Sequence, residues 1–151
     1  MRETQLPRPV VTVATIVVRA GAFLLVEEET SAGLRLNQPA GHLEAGETLV
    51  AAAVRETLEE TGYRIAPTAL VGIYRWQAPD TGATFIRFAF AGEVLAHDAA
   101  RTLDEGIVRA LWLPYDELAA RRAMHRSPLV LRCVDDYRAG SRRPLDQITE
   151  M

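Results

Sequence analysis

Glu56, Glu59 and Glu60 stand close together in "TLVAAAVRETLEET", a segment that reads as helix. Like charges three and four residues apart on a helix repel, by roughly 0.2–0.5 kcal/mol per pair. At about 100° per residue the three carboxylates share about a third of the circumference. Two descriptions fit such a cluster: the solvated face of an amphipathic helix, or a set of hard oxygen donors for a divalent cation such as Mg²⁺ or Mn²⁺. Val50, Val54 and Leu58 fall on the opposite side. They are expected to bury against a sheet while the carboxylates face open space, with Ala52 and Ala53 flanking them.

The residues upstream separate the two descriptions. Gly41 is followed at fixed spacing by Glu47, Arg55, Glu56, Glu59, Glu60 and Gly62. This arrangement, GX5EX7REUXEEXGU, resembles the signature of the Nudix hydrolases (MutT-like proteins). Thr57 and Tyr63 stand where that signature has bulky aliphatic residues. The resemblance implies a metal site. By it, Glu56 and Glu60 are expected as direct ligands, Glu59 as a further ligand or a base, and the Ala40 carbonyl as an added ligand. It also implies that Arg55 orients the carboxylates together with Glu47. The expected cofactor is Mg²⁺, with Mn²⁺ as the other choice. The general base varies in the family; Glu105, beside Asp104 in "LDEGI", is the candidate.

Beyond the signature, "LNQPAGHLEAGETLVAAAVRETLEETG", "WQAPD", "FIRFAF" and "RSPLV" resemble the NudJ-type phosphatases within that family. That likeness implies hydrolysis of nucleoside di- and triphosphates, or of pyrophosphates such as hydroxymethylpyrimidine pyrophosphate. Leu36 stands where this subgroup tends to have Trp, which touches base preference if the position lines the pocket.

Candidates for holding the rest of the substrate come from neighbouring segments. Asn37 and Gln38 precede the signature and can hydrogen-bond a base or a phosphate. Alternation on two strands places Tyr74 with Trp76, and Phe85 with Arg87. An aromatic ring there can stack on a base, and Arg87 can pair with phosphate. Arg126 lies just before a helix start at Ser127-Pro128. Trp112, in "ALWLP", is expected in the core.

The elements that must position these residues follow from hydrophobic pattern and turn residues. "VVTVATIVVRAGAFLLVEEET" reads as two strands joined at Ala20-Gly21. The acidic helix has Thr48 as N-cap and Gly62 at its end. "ALVGIYRWQAP" and "ATFIRFAFAGEV" read as strands about "DTG", and "VRALWLP" as another. "YDELAARR" and "SPLVLRCVDDYRAG" read as helices. The expected fold class is α/β (α+β): an α/β/α sandwich with a mixed sheet between helices, in one domain over 1–151 with its core at about 9–148.

The chain has 151 residues, 48% hydrophobic and 25% charged, which suits one globular domain. Its net charge of −3 provides no basic field for nucleic acid. An enzyme acting on RNA 5′ ends, with "YRAGSRRP" as its footprint, is therefore the weaker alternative. A non-catalytic nucleotide sensor is a third reading, and the complete set of signature glutamates argues against it. All 17 basic residues are Arg, so any side-chain cation on a phosphate is a guanidinium. The single cysteine, the lack of a membrane-length apolar run and the polar start "MRETQLPRPVV" lead to the expectation of a cytoplasmic monomer or homodimer.

Overall fold

The computed structural model describes residues 8–151; residues 1–7 of the expected domain lie outside that range. β1 (Val10–Arg19) and β2 (Ala22–Thr30) form an antiparallel hairpin. Its turn residues Ala20 and Gly21 have φ of 50° and 76°, the left-handed pair that a tight hairpin needs. β3 (Gly33–Asn37) returns along β2, and β4 (Ala40–His42) pairs with the first half of β1. After α1 (Leu49–Thr61) come β5 (Tyr63–Gln77) and β6 (Thr84–His97), a long antiparallel pair. β7 (Ile107–Pro114), α2 (Tyr115–Ala120) and α3 (Leu129–Arg138) follow.

The sheet runs β3-β2-β1-β6-β5, with β4 on β1 and β7 on β2. β1 and β6 are parallel and the other pairs antiparallel, so the sheet is mixed as expected. Alternation along β1 divides the core. Val13, with Leu70 and Phe90, meets Leu49, Ala52 and Ala53 of α1. Ile16, Val71, Ala89 and Ala91 face the other way, towards Val130, Cys133 and Val134 of α3. Helices thus cover both faces, and each fully buried aliphatic contributes about 1.5–3 kcal/mol.

α1 sits on the sheet differently from the expectation. Its buried residues are Leu49, Ala52, Ala53, Thr57, Glu60 and Thr61, while Val50, Val54 and Leu58 are only half-buried. The reason is close approach. Small side chains let the helix settle onto β1, where the Thr57 and Thr15 hydroxyls share a buried hydrogen bond of 2.9 Å. The helix begins and ends as read. The Thr48 side chain accepts from the Ala51 amide, and Gly62 adopts φ 75°. The C-terminal segment fastens the same helix, because Glu150 Oε1 accepts the Leu49 amide at 2.7 Å. That puts a carboxylate at the positive end of the helix dipole.

Candidate active site

α1 carries a guanidinium among carboxylates. Arg55 grips Glu47 bidentately, with Nε to Oε2 at 3.0 Å and Nη2 to Oε1 at 2.6 Å. Its Nη1 donates to Glu56 at 2.8 Å and to Glu59 at 3.2 Å, and Nη2 also meets the His42 carbonyl at 3.0 Å. These bonds draw the Glu47 carboxyl below its usual range and hold Arg55 firmly protonated. Glu56 moves the other way: burial raises it first, and the Glu59 and Asp104 charges add to that against Arg55. Arg55 is thus bonded to Glu47, Glu56 and Glu59, the carboxylates that the resemblance implied it would orient.

The loop entering β4 closes on this face. A Cβ built on Gly41 would fall inside the Glu56 carboxylate, so only glycine allows the contact. Glu60 Oε1 accepts the Ala40 amide at 2.7 Å. Glu60 is 8% exposed, so this carboxylate does not point into open space. Burial, first, pushes it up to about 9; the Ala40 N–H opposes, and the charges of Glu56, Glu28 and Asp104 add.

The carboxylates that converge are Glu56, Glu59 and Asp104, each with an oxygen within 4.8 Å of the others. The Asp104 amide is tied to the Glu59 carbonyl at 3.0 Å, which docks the "LDEGI" turn on the end of α1. Its neighbour Glu105 is exposed and outside this trio. Three acidic oxygens gathered between α1 and the turn before β7 are a fitting donor set for a hard divalent cation.

Beside the Ala40–His42 strand that contacts this acidic face, a cleft of about 510 Å³ runs across β1 and β6 to the tip of the β5–β6 hairpin. Ala40 and Gly41 line it, together with Asn37, Trp76, Phe85, Arg87 and Arg126, and the β2–β3 hairpin from Glu28 to Ala32 forms another wall. Trp76 and Phe85 are cross-strand partners with ring centroids 5.8 Å apart, which makes a half-buried aromatic platform. Gln38 lies elsewhere than expected: it is 1% exposed, inside the fold, donating to the Val130 carbonyl at 2.6 Å. Arg87 is buried rather than solvated. Tyr74 is bound to Asp136 at 2.7 Å. Leu36 is fully buried among α2 and α3 residues and does not line the cleft, so the departure there concerns packing. Trp112 is half-buried, its indole N–H donating to the Tyr63 hydroxyl at 3.1 Å with Arg19 over its ring.

One cleft residue escaped the reading of the sequence. Glu28 accepts Arg126 Nη1 at 3.0 Å, spanning β2 and the start of α3. A register shift between Glu27 and Glu28 lets two adjacent acids serve different partners, Glu27 taking Arg109 bidentately. The run "VEEET" was the available signal, but alternation alone does not place a bulge.

Comparisons with known proteins agree with this geometry. The NUDIX domain matches residues 6–133. Phosphatase NudJ of Escherichia coli (strain K12) is 42% identical over 141 residues, 93% of this chain and 91% of the relative. The structure of a NUDIX hydrolase from Nitrosomonas europaea superposes with a TM-score of 0.93 at 49% identity, over 95% of this chain and 98% of the other. A MutT protein from Methanosarcina mazei Go1, 22% identical with a TM-score of 0.70 over 93% of this chain and 100% of the other, shares the fold.

Proposed function

The chain belongs to the Nudix family and is a Nudix hydrolase, and from that premise we propose that it cleaves pyrophosphate or phosphate linkages in small nucleoside di- and triphosphates or in pyrimidine pyrophosphates of the hydroxymethylpyrimidine type. The observation carrying this reading is that the cleft holding the aromatic platform of β5–β6 is also lined by Ala40 and Gly41, which touch Glu60 and Glu56 of the acidic face of α1. Glu56, Glu59 and Asp104, with Glu60 and the Ala40 carbonyl beside them, are the residues that would hold the divalent ion, Mg²⁺ or Mn²⁺. When bound, such an ion withdraws charge from a phosphoryl group and lowers the pKa of water.

The chain's own residues do the rest. Arg55 keeps the Glu47, Glu56 and Glu59 oxygens in place. Trp76 and Phe85 take the ring of the substrate by stacking. Arg87 and Arg126 face its anionic part. Glu105 is the candidate general base, and its neighbour Asp104 stands nearer the carboxylates. The reading includes a cytoplasmic location and a monomer or homodimer; no helix among the described residues is long and apolar enough to cross a membrane.

Turnover of a panel tests it: nucleoside di- and triphosphates, hydroxymethylpyrimidine pyrophosphate and triphosphorylated RNA, with Mg²⁺, Mn²⁺ or EDTA. Metal-dependent turnover of a small substrate is expected, falling by about 10³-fold in Glu56→Gln. Tight nucleotide binding with no turnover of any member overturns it in favour of a sensor, and turnover of RNA alone in favour of a 5′-end enzyme.

A further inference from the structure

Arg87 of β6 is 6% exposed, yet none of the ion pairs among the described residues includes it. Its Nη1 donates to Gln38 Oε1 at 2.9 Å and its Nη2 to Asn37 Oδ1 at 3.2 Å, while its Nε has no partner. A guanidinium only donates, so both amides must turn their carbonyls towards it. The Gln38 nitrogen is already committed to the Val130 carbonyl. The amide nitrogen of Asn37 therefore points away from Arg87, on a residue that lines the cleft. This corner offers positive charge and N–H donors, and its two amide oxygens are already taken up by Arg87.

A buried cation without a counter-charge is costly, and unbalanced charges of this kind gather at functional sites. The aromatic platform lies two residues along the same strand, and the Ala40–Gly41 edge lies two strands across. We infer that Arg87 and Asn37 form the anion-binding corner of the cleft, taking a phosphoryl oxygen that the glutamate edge does not hold and so setting the preference for phosphate charge. The inference rests on reading this cleft as the substrate site.

Asn37→Asp tests it with two readouts of opposite sign. The new carboxylate gives Arg87 its counter-charge, so the unliganded protein should melt a few degrees higher. The same change repels a phosphoryl group, so the KM for nucleoside triphosphates should rise at least 10-fold with kcat within about 2-fold. Methylenebisphosphonate, titrated by calorimetry with saturating Mg²⁺, should weaken in parallel. Asn37→Ala, which adds no charge, should show a smaller KM effect and no gain in melting temperature. Unchanged KM and bisphosphonate affinity in Asn37→Asp would leave Arg87 a packing residue and overturn the inference. So would an effect that follows the base of a phosphate-free nucleoside such as uridine and leaves the bisphosphonate untouched. Wild-type turnover of the panel decides the hydrolase reading separately, because these losses are measured relative to it.

Discussion

Arg55 and Arg87 are the same side chain in opposite surroundings. Arg55, on α1, reaches Glu44, Glu47, Glu56 and Glu59 at 3.5, 2.6, 2.8 and 3.2 Å. Arg87, on β6, donates to the amide oxygens of Gln38 and Asn37 and leaves its buried Nε–H without a partner. The first is an over-supplied brace, a cation outnumbered by acids that keeps them aligned. The second is an under-supplied charge. One end of the site therefore has anionic oxygen to share with a cation, and the other has cationic N–H groups to share with an anion. That polarity is what the proposed substrate, a pyrophosphate carrying a metal ion, would meet along its length.

The largest expected effect breaks the brace. Arg55→Met leaves partly buried carboxylates without their donor, which should destabilise the metal-free protein by about 2 kcal/mol. Activity should fall about 100-fold or more. Saturating Mg²⁺ should restore part of the melting temperature and little of the rate. A variant as stable as wild type without metal would mean that Arg55 braces nothing.

A middle-sized effect sharpens the acidic end. Asp104→Asn should weaken divalent-ion affinity about 10-fold or more, while Glu105→Gln should change it less than about 3-fold. The reverse ranking, in a titration followed by calorimetry, would hand the role back to Glu105.

The most gradual effect is a slope with pH. Burial holds Glu60 protonated up to about 9 in the metal-free fold, against an ordinary value of about 4.3. Because the folded value is raised, its stabilising contribution is fully present below about pH 4.3 and is lost as pH climbs towards 9. The slope has an upper limit of about 1.4 kcal/mol per pH unit. Wild-type melting temperature should thus decline relative to Glu60→Gln between mildly acidic and mildly alkaline pH in EDTA. Parallel curves would show that Glu60 is ionised throughout.

The acidic helix, with Thr48 and Gly62 at its ends, was legible because caps and glycine turns are local chemistry. The mixed sheet between helices was legible from the order of strand and helix patterns. The seating of α1 was not. A helical wheel gives the angles between residues but not which arc meets the sheet. Here alanines and a threonine pair brought the backbone close and carried Glu60 inside. The places of Gln38, Arg87 and Asp104 were not legible for a related reason. Each is fixed by a partner far along the chain, Val130, Asn37 and Glu59 respectively. The Glu27/Glu28 shift belongs to the same class, being set by pairing with β7.

The two tryptophans occupy these contrasting places: Trp76 in the cleft, Trp112 across the molecule against Tyr63 and Arg19. Their separation makes the protein its own spectrometer. With Trp112→Phe the remaining indole emits from the platform where a ring would stack. Its quenching would then report occupancy of the cleft in real time, with no dye attached and no reaction needed.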